Sequence, residues 1–362
     1  MDNQKRYKRQ IILPEIGKDG QGEISNARVL VVGAGGLGCP ALLYLSAAGI
    51  GHIGIIDFDE VDETNLQRQV LFKTHHIGQN KAEIAAKELS SLNPDIKIEA
   101  FAKELSSENI EILFNRFDII IDGSDNFATK YLINDAAVKT NTPFIYGSIL
   151  GFDGQVSVFN ANEDNAPCYR CLFPKAPEKH IANCAQAGVI GAVAGIIGAT
   201  QAMEAIKLIV DHQSFKPLIG KLWIIDMHSM ENRILSIKKD PKCPVCNKDK
   251  DHIMLNNKSN ENISEISTVE LIKDIDKYTL LDVREQNEWD LGHIDGAYHL
   301  PLSSINKGET PNIGKDKDIA IYCLAGIRSK QAAILLKEKG FTKLTNISGG
   351  YEKWVEYSKC LK

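Results

Sequence analysis

The stretch 28-RVLVVGAGGLG-38 decides the fold. Its first half is apolar and β-branched, as in a strand buried on both faces. Its second half is a glycine turn in which Gly33, Gly35 and Gly38 match G-x-G-x-x-G, with Gly36 between them. Glycines let a backbone approach a phosphate closely, and the amino end of the following helix favours negative charge. An Ala- and Leu-rich helix is predicted from this turn to about Gly49. The next strand, HIGIIDFD (52–59), carries Asp57 at its end, where an acid can bind ribose hydroxyls. Taken alone, these residues describe a dinucleotide site and suggest an NAD-dependent oxidoreductase.

Working outward, strand-like and helix-like runs alternate through residue 160. Further strands are predicted at 97–102, 117–125 and 143–149, with helices over 79–92 and from 126 to about Lys139. GQVSVFN (154–160) and KLWIIDM (221–227) read as later strands of the same domain. This rhythm predicts an α/β fold with a doubly wound, Rossmann-like parallel sheet. A chain of 362 residues exceeds one ordinary core. A polar, Asn- and Lys-rich run at 248–262 is expected to be a linker between a domain at 1–247 and a smaller α/β domain at 263–362. The 42 basic and 47 acidic residues give a net charge of −5, so no nucleic-acid footprint is expected. The first 25 residues lack a secretory apolar run, and a cytoplasmic protein is expected. The apolar segment 187–210 is interrupted by Gln201, Glu204 and Lys207, and reads as a helix buried on a sheet rather than a membrane span.

The residues after the second strand favour a different chemistry. In 64-TNLQRQ-69, Asn65, Arg68 and Gln69 follow it closely, and Lys81 opens the next helix. Asp125 and Asn126 end the fourth strand, at the edge where ligands bind in such sheets. An Arg, a Lys and an Asp around a nucleotide suit a triphosphate with Mg²⁺, since the cations stabilise charge building on phosphorus. Hydride transfer needs none of them.

In order and register, RYKRQ (6–10), GAGGLG (33–38), DFDEVDETNLQRQ (57–69), IGQNKAE (77–83), DGSDN (122–126), CYRC (168–171), QAMEAIK (201–207) and CPVC (243–246) resemble the MoeB/ThiF/HesA family, and MoeB most of all. The family consists of ATP-dependent activators of ubiquitin-like sulfur carrier proteins and is related to the ubiquitin-activating enzymes. The resemblance implies that Gly36 and Asp57 hold adenosine, that Asn65, Arg68 and Lys81 contact the phosphates, and that Asp125 binds Mg²⁺ with Asn126 beside it. It implies that Arg9 reaches into a partner subunit's site, which makes a homodimer part of the machinery. Asn80 stands where relatives often carry Pro, and Asn is also a sound helix-start residue. The implied reaction is adenylation of a carrier's C-terminal glycine, for molybdopterin synthesis first and for thiamine or tRNA thiolation as alternatives. A nucleotide-sensing scaffold is the non-enzymatic alternative.

Of eight cysteines, Cys168, Cys171, Cys243 and Cys246 form two C-x-x-C knuckles. Two thiolates from each can share one tetrahedral Zn²⁺; a redox pair or free core thiols are the alternatives. Cys184 precedes the apolar helix, whose amino end could depress its pKa; it is either a transfer thiol or an unreactive loop residue. Over 263–357 the motifs LLDVREQNEWDLGHIDGAYHLP (280–301) and YCLAGIRS (322–329) resemble the rhodanese sulfurtransferases. Cys323 ends a strand, and the loop 323-CLAGIR-328 opens a helix, so inward-pointing N–H groups and the charge of Arg328 can stabilise a persulfide. Asp282, Arg284 and His293 are expected to order that loop. The sulfur donor is expected to be a cysteine desulfurase or thiosulfate. Cys184 is the candidate to resolve a carrier–Cys323 acyl disulfide.

Overall fold

A computed structural model describes residues 5–159, 165–175, 188–255 and 263–360. The chain divides into two compact units, Met1–Asn257 and Lys258–Lys362.

In the first unit, α1 (Lys8–Ile11) and α2 (Gly17–Asn26) lead into β1 (Arg28–Val32), α3 (Gly38–Ala48) and β2 (His52–Ile56). Then come α4 (Lys81–Leu92), β3 (Lys97–Phe101), α5 (Ile110–Phe114), β4 (Ile119–Asp122), α6 (Phe127–Thr140), β5 (Phe144–Leu150) and β6 (Asp153–Phe159). α7 (Tyr169–Leu172), α8 (Gly191–Val210), β7 (Lys221–Asp226) and β8 (Glu231–Ser236) complete it. The sheet order is β3-β2-β1-β4-β5-β6-β7-β8. The first five strands run parallel and the rest antiparallel. Strand order reverses between β1 and β4, so a crevice opens at their carboxyl ends. The apolar run that predicted β1 is buried from Val29 to Val32, as a strand covered on both faces must be.

Local chemistry sets the helix ends. Asn80 caps α4, its side chain accepting from the Glu83 N–H at 3.1 Å, so the Asn found in place of Pro serves the helix start. α3 stops at Gly49, which takes φ 90° as a left-handed cap. α8 begins at Gly191, four residues after the start of the apolar segment 187–210. It is long and apolar enough to cross a membrane, yet it packs on α2, α3, β5 and β6. Its polar residues bond inside the protein: Gln201 Nε2 donates to the carbonyls of Asp122 and Ile145, and Glu204 accepts from the Leu218 N–H.

The second unit contains β9 (Ser264–Ser267), α9 (Thr268–Asp274), β10 (Thr279–Asp282), α10 (Gln286–Asp290), β11 (Tyr298–His299) and α11 (Leu302–Asn306). β12 (Asp318–Tyr322), α12 (Ile327–Glu338), β13 (Lys343–Ser348) and α13 (Gly350–Cys360) follow. Its parallel sheet has the order β11-β10-β12-β13-β9. β12 is the strand expected to end at Cys323, and β9, β10, β11 and β13 complete the sheet around it. The stretch expected as a linker is structured where it is described: Lys250–His252 form a 3-10 turn and Ile253 is buried against the cysteine knuckles.

The glycine turn is a steric necessity. A Cβ at Gly38 would lie 1.9 Å from the Gly33 carbonyl oxygen, and one at Gly123 2.8 Å from it. Gly38→Ala must displace backbone; it is expected to destabilise the first unit by about 2 kcal/mol or more. Chemical denaturation of wild type and variant measures this, and equal midpoints would contradict the packing described.

Candidate functional site

Most of the residues picked from sequence converge at the carboxyl ends of β1, β2 and β4. Gly33 takes φ 90° and turns the chain toward α3. Gly35 faces open space apart from Gln69 Nε2. Gly36 lies against the Arg68 side chain and Ala194, so Arg68 reaches the glycine turn. Asp57 accepts hydrogen bonds from the backbone N–H groups of Ala34 (2.8 Å) and Asp59 (2.9 Å). The buried Lys81 ammonium donates to Asp59 at 3.0 Å and also lowers the energy of an ionised Asp57. Burial outweighs these contacts and holds the Asp57 carboxyl above its ordinary range. Gln69 is buried and its Oε1 has no partner among the described residues, an unmet acceptor beside the turn.

Other residues sit differently from a simple reading. Asn65 Oδ1 accepts from the Asp62 N–H and so helps order the loop. Arg68 donates to the Thr64 carbonyl at 3.0 Å. Asp125 is exposed just beyond β4. Asn126 spends its side-chain oxygen on capping α6, accepting from the Thr129 N–H at 2.9 Å. Arg9 is not brought to the site. Its neighbour Gln10 bonds the Ala48 carbonyl at the far end of α3, about 15 Å of helix from the turn.

Beneath the crevice lies a network that sequence reading missed. Lys130 Nζ donates to Asp122 at 2.9 Å and to the Gly147 carbonyl at 2.8 Å, all buried. Asp122 in turn accepts from the Ser124 N–H and hydroxyl, fixing the turn that leads to Asp125. The only sequence signal is an Asp closing an otherwise apolar strand.

Cys168, Cys171, Cys243 and Cys246 form one cluster with all sulfurs within 4.8 Å of one another. Neighbouring sulfurs are 3.5–3.8 Å apart, against about 3.8 Å for a tetrahedron with 2.3 Å Zn–S bonds. The donor set and spacing fit Zn²⁺. The knuckle is held by partners that spacing did not reveal: Arg170 pairs with Asp135 through two 2.7 Å bonds, and the Tyr169 N–H donates to Asn134. Cys39 is buried, donates to the Ala34 carbonyl, and is pushed up to about 12 by burial, which makes it inert. Cys184 lies outside the described residues.

In the second unit, Cys323 is buried at the end of β12. Its sulfur accepts from the Gly326 N–H at 3.1 Å and the Ser329 hydroxyl at 3.5 Å. Gly326 takes φ 96° at the start of α12. Arg328 forms two 2.6 Å bonds with Glu288. That pairing raises the Arg328 pKa and lowers that of Glu288. Arg284 is buried, bonds Asp282 and the Gly292 carbonyl, and faces the Tyr351 ring. His293 stacks on Trp289. These three residues order the segment that carries Glu288.

The ThiF family pattern matches residues 7–245, and the rhodanese-like domain pattern matches 267–357. The chain belongs to the ThiF family. It is 40% identical to a Mycobacterium tuberculosis protein described as "Probable adenylyltransferase/sulfurtransferase MoeZ", over 97% of this chain and 92% of that one. It is 45% identical to the sulfur carrier protein adenylyltransferase of Thermus thermophilus, over 67% of this chain and 90% of that one. Among solved structures, E. coli MccB shares the fold, with TM-score 0.61 and 24% identity over 68% of this chain and 76% of that one. This ThiF-family chain is an enzyme that joins an adenylyltransferase, which uses ATP, to a sulfurtransferase domain.

An ionised Asp57 is the form that ribose hydroxyls can bond, and its raised pKa brings protonation closer to neutrality. Because the folded pKa exceeds the unfolded one, acidification through this window adds to folding stability, so weaker binding there is not unfolding. ATP affinity is expected to fall as the pH is lowered through the raised Asp57 pKa. Asp57→Asn is expected to bind about tenfold more weakly at pH 7, with a flat pH profile. Calorimetric titration at each pH checks this, and an equal slope in the variant would contradict it.

Proposed function

We propose that the first unit adenylates the C-terminal glycine of a ubiquitin-like sulfur carrier protein ending in Gly-Gly, and that the second supplies sulfur from a Cys323 persulfide. The observation that carries this reading is the convergence of the glycine turn, Asp57, Arg68 and Asp125 at the β1/β4 reversal, in a chain that also holds the Cys323 sulfur with the Gly326 N–H and the Ser329 hydroxyl.

In this reading Gly33, Gly35, Gly36 and Gly38 admit the nucleotide, Asp57 holds its ribose, and Asn65, Arg68 and Lys81 face the phosphates. The carrier carboxylate attacks the α-phosphorus, and pyrophosphate leaves. Positioning and charge stabilisation carry the step, with no enzyme nucleophile. Asp125, exposed at the crevice, would hold Mg²⁺, which would neutralise phosphate charge. Its neighbour Asn126 acts by capping α6, which orients that edge. The four knuckle cysteines would hold a structural Zn²⁺. The Cys323 persulfide then attacks the acyl carbon, AMP leaves, and an acyl disulfide forms. Attack by the Cys184 thiolate on Cys323 sulfur would release the carrier thiocarboxylate and leave a Cys184–Cys323 disulfide, which a dithiol reductant must reopen. Arg328 belongs to the Cys323 loop. A cysteine desulfurase is the proposed sulfur source, the molybdopterin pathway the proposed setting, and the cytoplasm, which keeps thiols reduced, the proposed location.

We also read the enzyme as a homodimer. Tyr44 and Val70, 59% and 63% exposed, line an apolar groove with Leu43 of α3 and Ile196 and Ala199 of α8. Such a surface suits burial against a second copy. Arg9, stranded far from its own glycine turn, would then serve the partner's site.

ATP–pyrophosphate exchange with a panel of Gly-Gly-ending carriers from the molybdopterin, thiamine and tRNA pathways tests the reading. Exchange is expected with at least one carrier, reduced about 100-fold in Arg68→Ala and retained in Cys323→Ala. Binding of ATP without exchange for any carrier would favour the nucleotide-sensing scaffold instead.

A further inference from the structure

Lys130 is 5% exposed and Asp122 is fully buried, where an apolar pair would fold at less cost than two charges. The Lys130 ammonium is surrounded by acceptors: Asp122 Oδ2 at 2.9 Å, the Gly147 carbonyl at 2.8 Å, and the face of the Tyr146 ring, 5.1 Å from its centroid. Asp122 is engaged as completely. Its other oxygen accepts from the Ser124 N–H at 3.0 Å and the Ser124 hydroxyl at 2.6 Å, and its carbonyl accepts from Gln201 at 2.8 Å. The carboxylate that faces the crevice is that of Asp125, which is exposed and bonded by nothing among the described residues. Its direction therefore comes from the backbone on either side. Before it, Ser124 is tied to Asp122. After it, Asn126 caps α6, and the Asn126 carbonyl accepts from the Lys130 N–H at 3.3 Å. Lys130 thus holds both anchors, one through its side chain and one through its main chain.

We propose that Lys130 is a positioning residue for adenylation: paired with Asp122, and through Ser124, it fixes the turn that aims the Asp125 carboxylate into the crevice. The proposal rests on the reading of Asp125 as the Mg²⁺ carboxylate. Apolar burial is non-directional and would leave the turn free to rotate. A charge-assisted bond has a direction. The two oxygens that Lys130 binds belong to the end of β4 and to β5, so the turn is referenced to two neighbouring strands of the sheet. A carboxylate aimed in advance spares the ordering that a loose turn would need when the cation arrives.

The test titrates the full chain with ATP by calorimetry, in excess Mg²⁺ and again in EDTA. Wild type is expected to bind ATP more tightly with Mg²⁺, and Asp125→Asn to lose that gain. Ser124→Ala deletes the hydroxyl bond to Asp122 and leaves the ion pair. Lys130→Met keeps an unbranched side chain and deletes the charge. Each is expected to weaken ATP binding in Mg²⁺ about tenfold and to leave the value in EDTA in place. General damage to the crevice would weaken both values together. An unchanged Mg²⁺ value in Ser124→Ala, or equal weakening with and without Mg²⁺, overturns the proposal; Ser124→Ala decides alone if Lys130→Met does not fold. If Asp125→Asn loses the Mg²⁺ gain while Ser124→Ala and Lys130→Met keep it, the metal reading of Asp125 stands and the proposal fails. If Asp125→Asn keeps the whole gain, that reading fails and the proposal falls with it.

Discussion

The backbone at Gly33, Gly38 and Gly123 meets with no side chain between, and the first unit is arranged around that contact. The Gly33 carbonyl lies where a Cβ of Gly38 or Gly123 would have to go. This closeness lets β1 and β4 run side by side as their connections diverge, which opens the crevice. Everything placed there depends on it. Asp57 can reach the Ala34 N–H because the turn is tight. Arg68 can lie on Gly36 because no side chain is there. The start of α8 closes on the same loop, since Gly191 sits against the Gln67 carbonyl and Arg68.

The support beneath the crevice is polar where an apolar core would have been simpler. Asp122 and Lys130 are buried together, with the Gly147 carbonyl taking a second ammonium proton. Breaking such a pair costs far more than the pair contributes to stability, because one buried charge would remain. Its worth lies in direction. Asp122 fixes Ser124 through two hydrogen bonds, and Ser124 precedes Asp125. Helix α6, which carries Lys130, is capped by Asn126 at one end and ties down the Arg170 knuckle through Asp135 further along. One helix thus orders both the edge of the crevice and the cysteine cluster.

Features that depend on local pattern were legible in the sequence. The glycine turn, the strands up to β7 and the helix starting at Lys81 all follow from periodicity and turn chemistry within a few residues. The paired knuckles were legible as types, although nothing in their spacing disclosed that Arg170 and Asn134 position them. What escaped is what chain separation hides. Asn126 has the right chemistry to stand beside a metal, but the nearest N–H groups of α6 claim its oxygen first. Arg328 has the right charge for an anion loop, but Glu288 is folded against it from another helix. Short edge strands such as β11 and β9 carry too few residues to show a period, and β9 pairs with β13 some 80 residues away.

Both units use the same local device. A buried parallel strand ends, a glycine with φ near 90° reverses the chain, and a helix begins: Gly33 before α3, Gly326 before α12. In each, backbone N–H groups and the helix amino end provide a fixed positive field without desolvating a side-chain charge. The nearby side chains then decide which anion is accepted. At the first turn Asp57 takes up the Ala34 N–H while Arg68 lies along Gly36, an arrangement with hydroxyl acceptor on one side and cation on the other. At the second, Arg328 pairs with Glu288 while the Gly326 N–H donates to the Cys323 sulfur. One strand–turn–helix geometry is thus flanked by an acid and a cation in one unit, and by a paired arginine and a buried cysteine sulfur in the other.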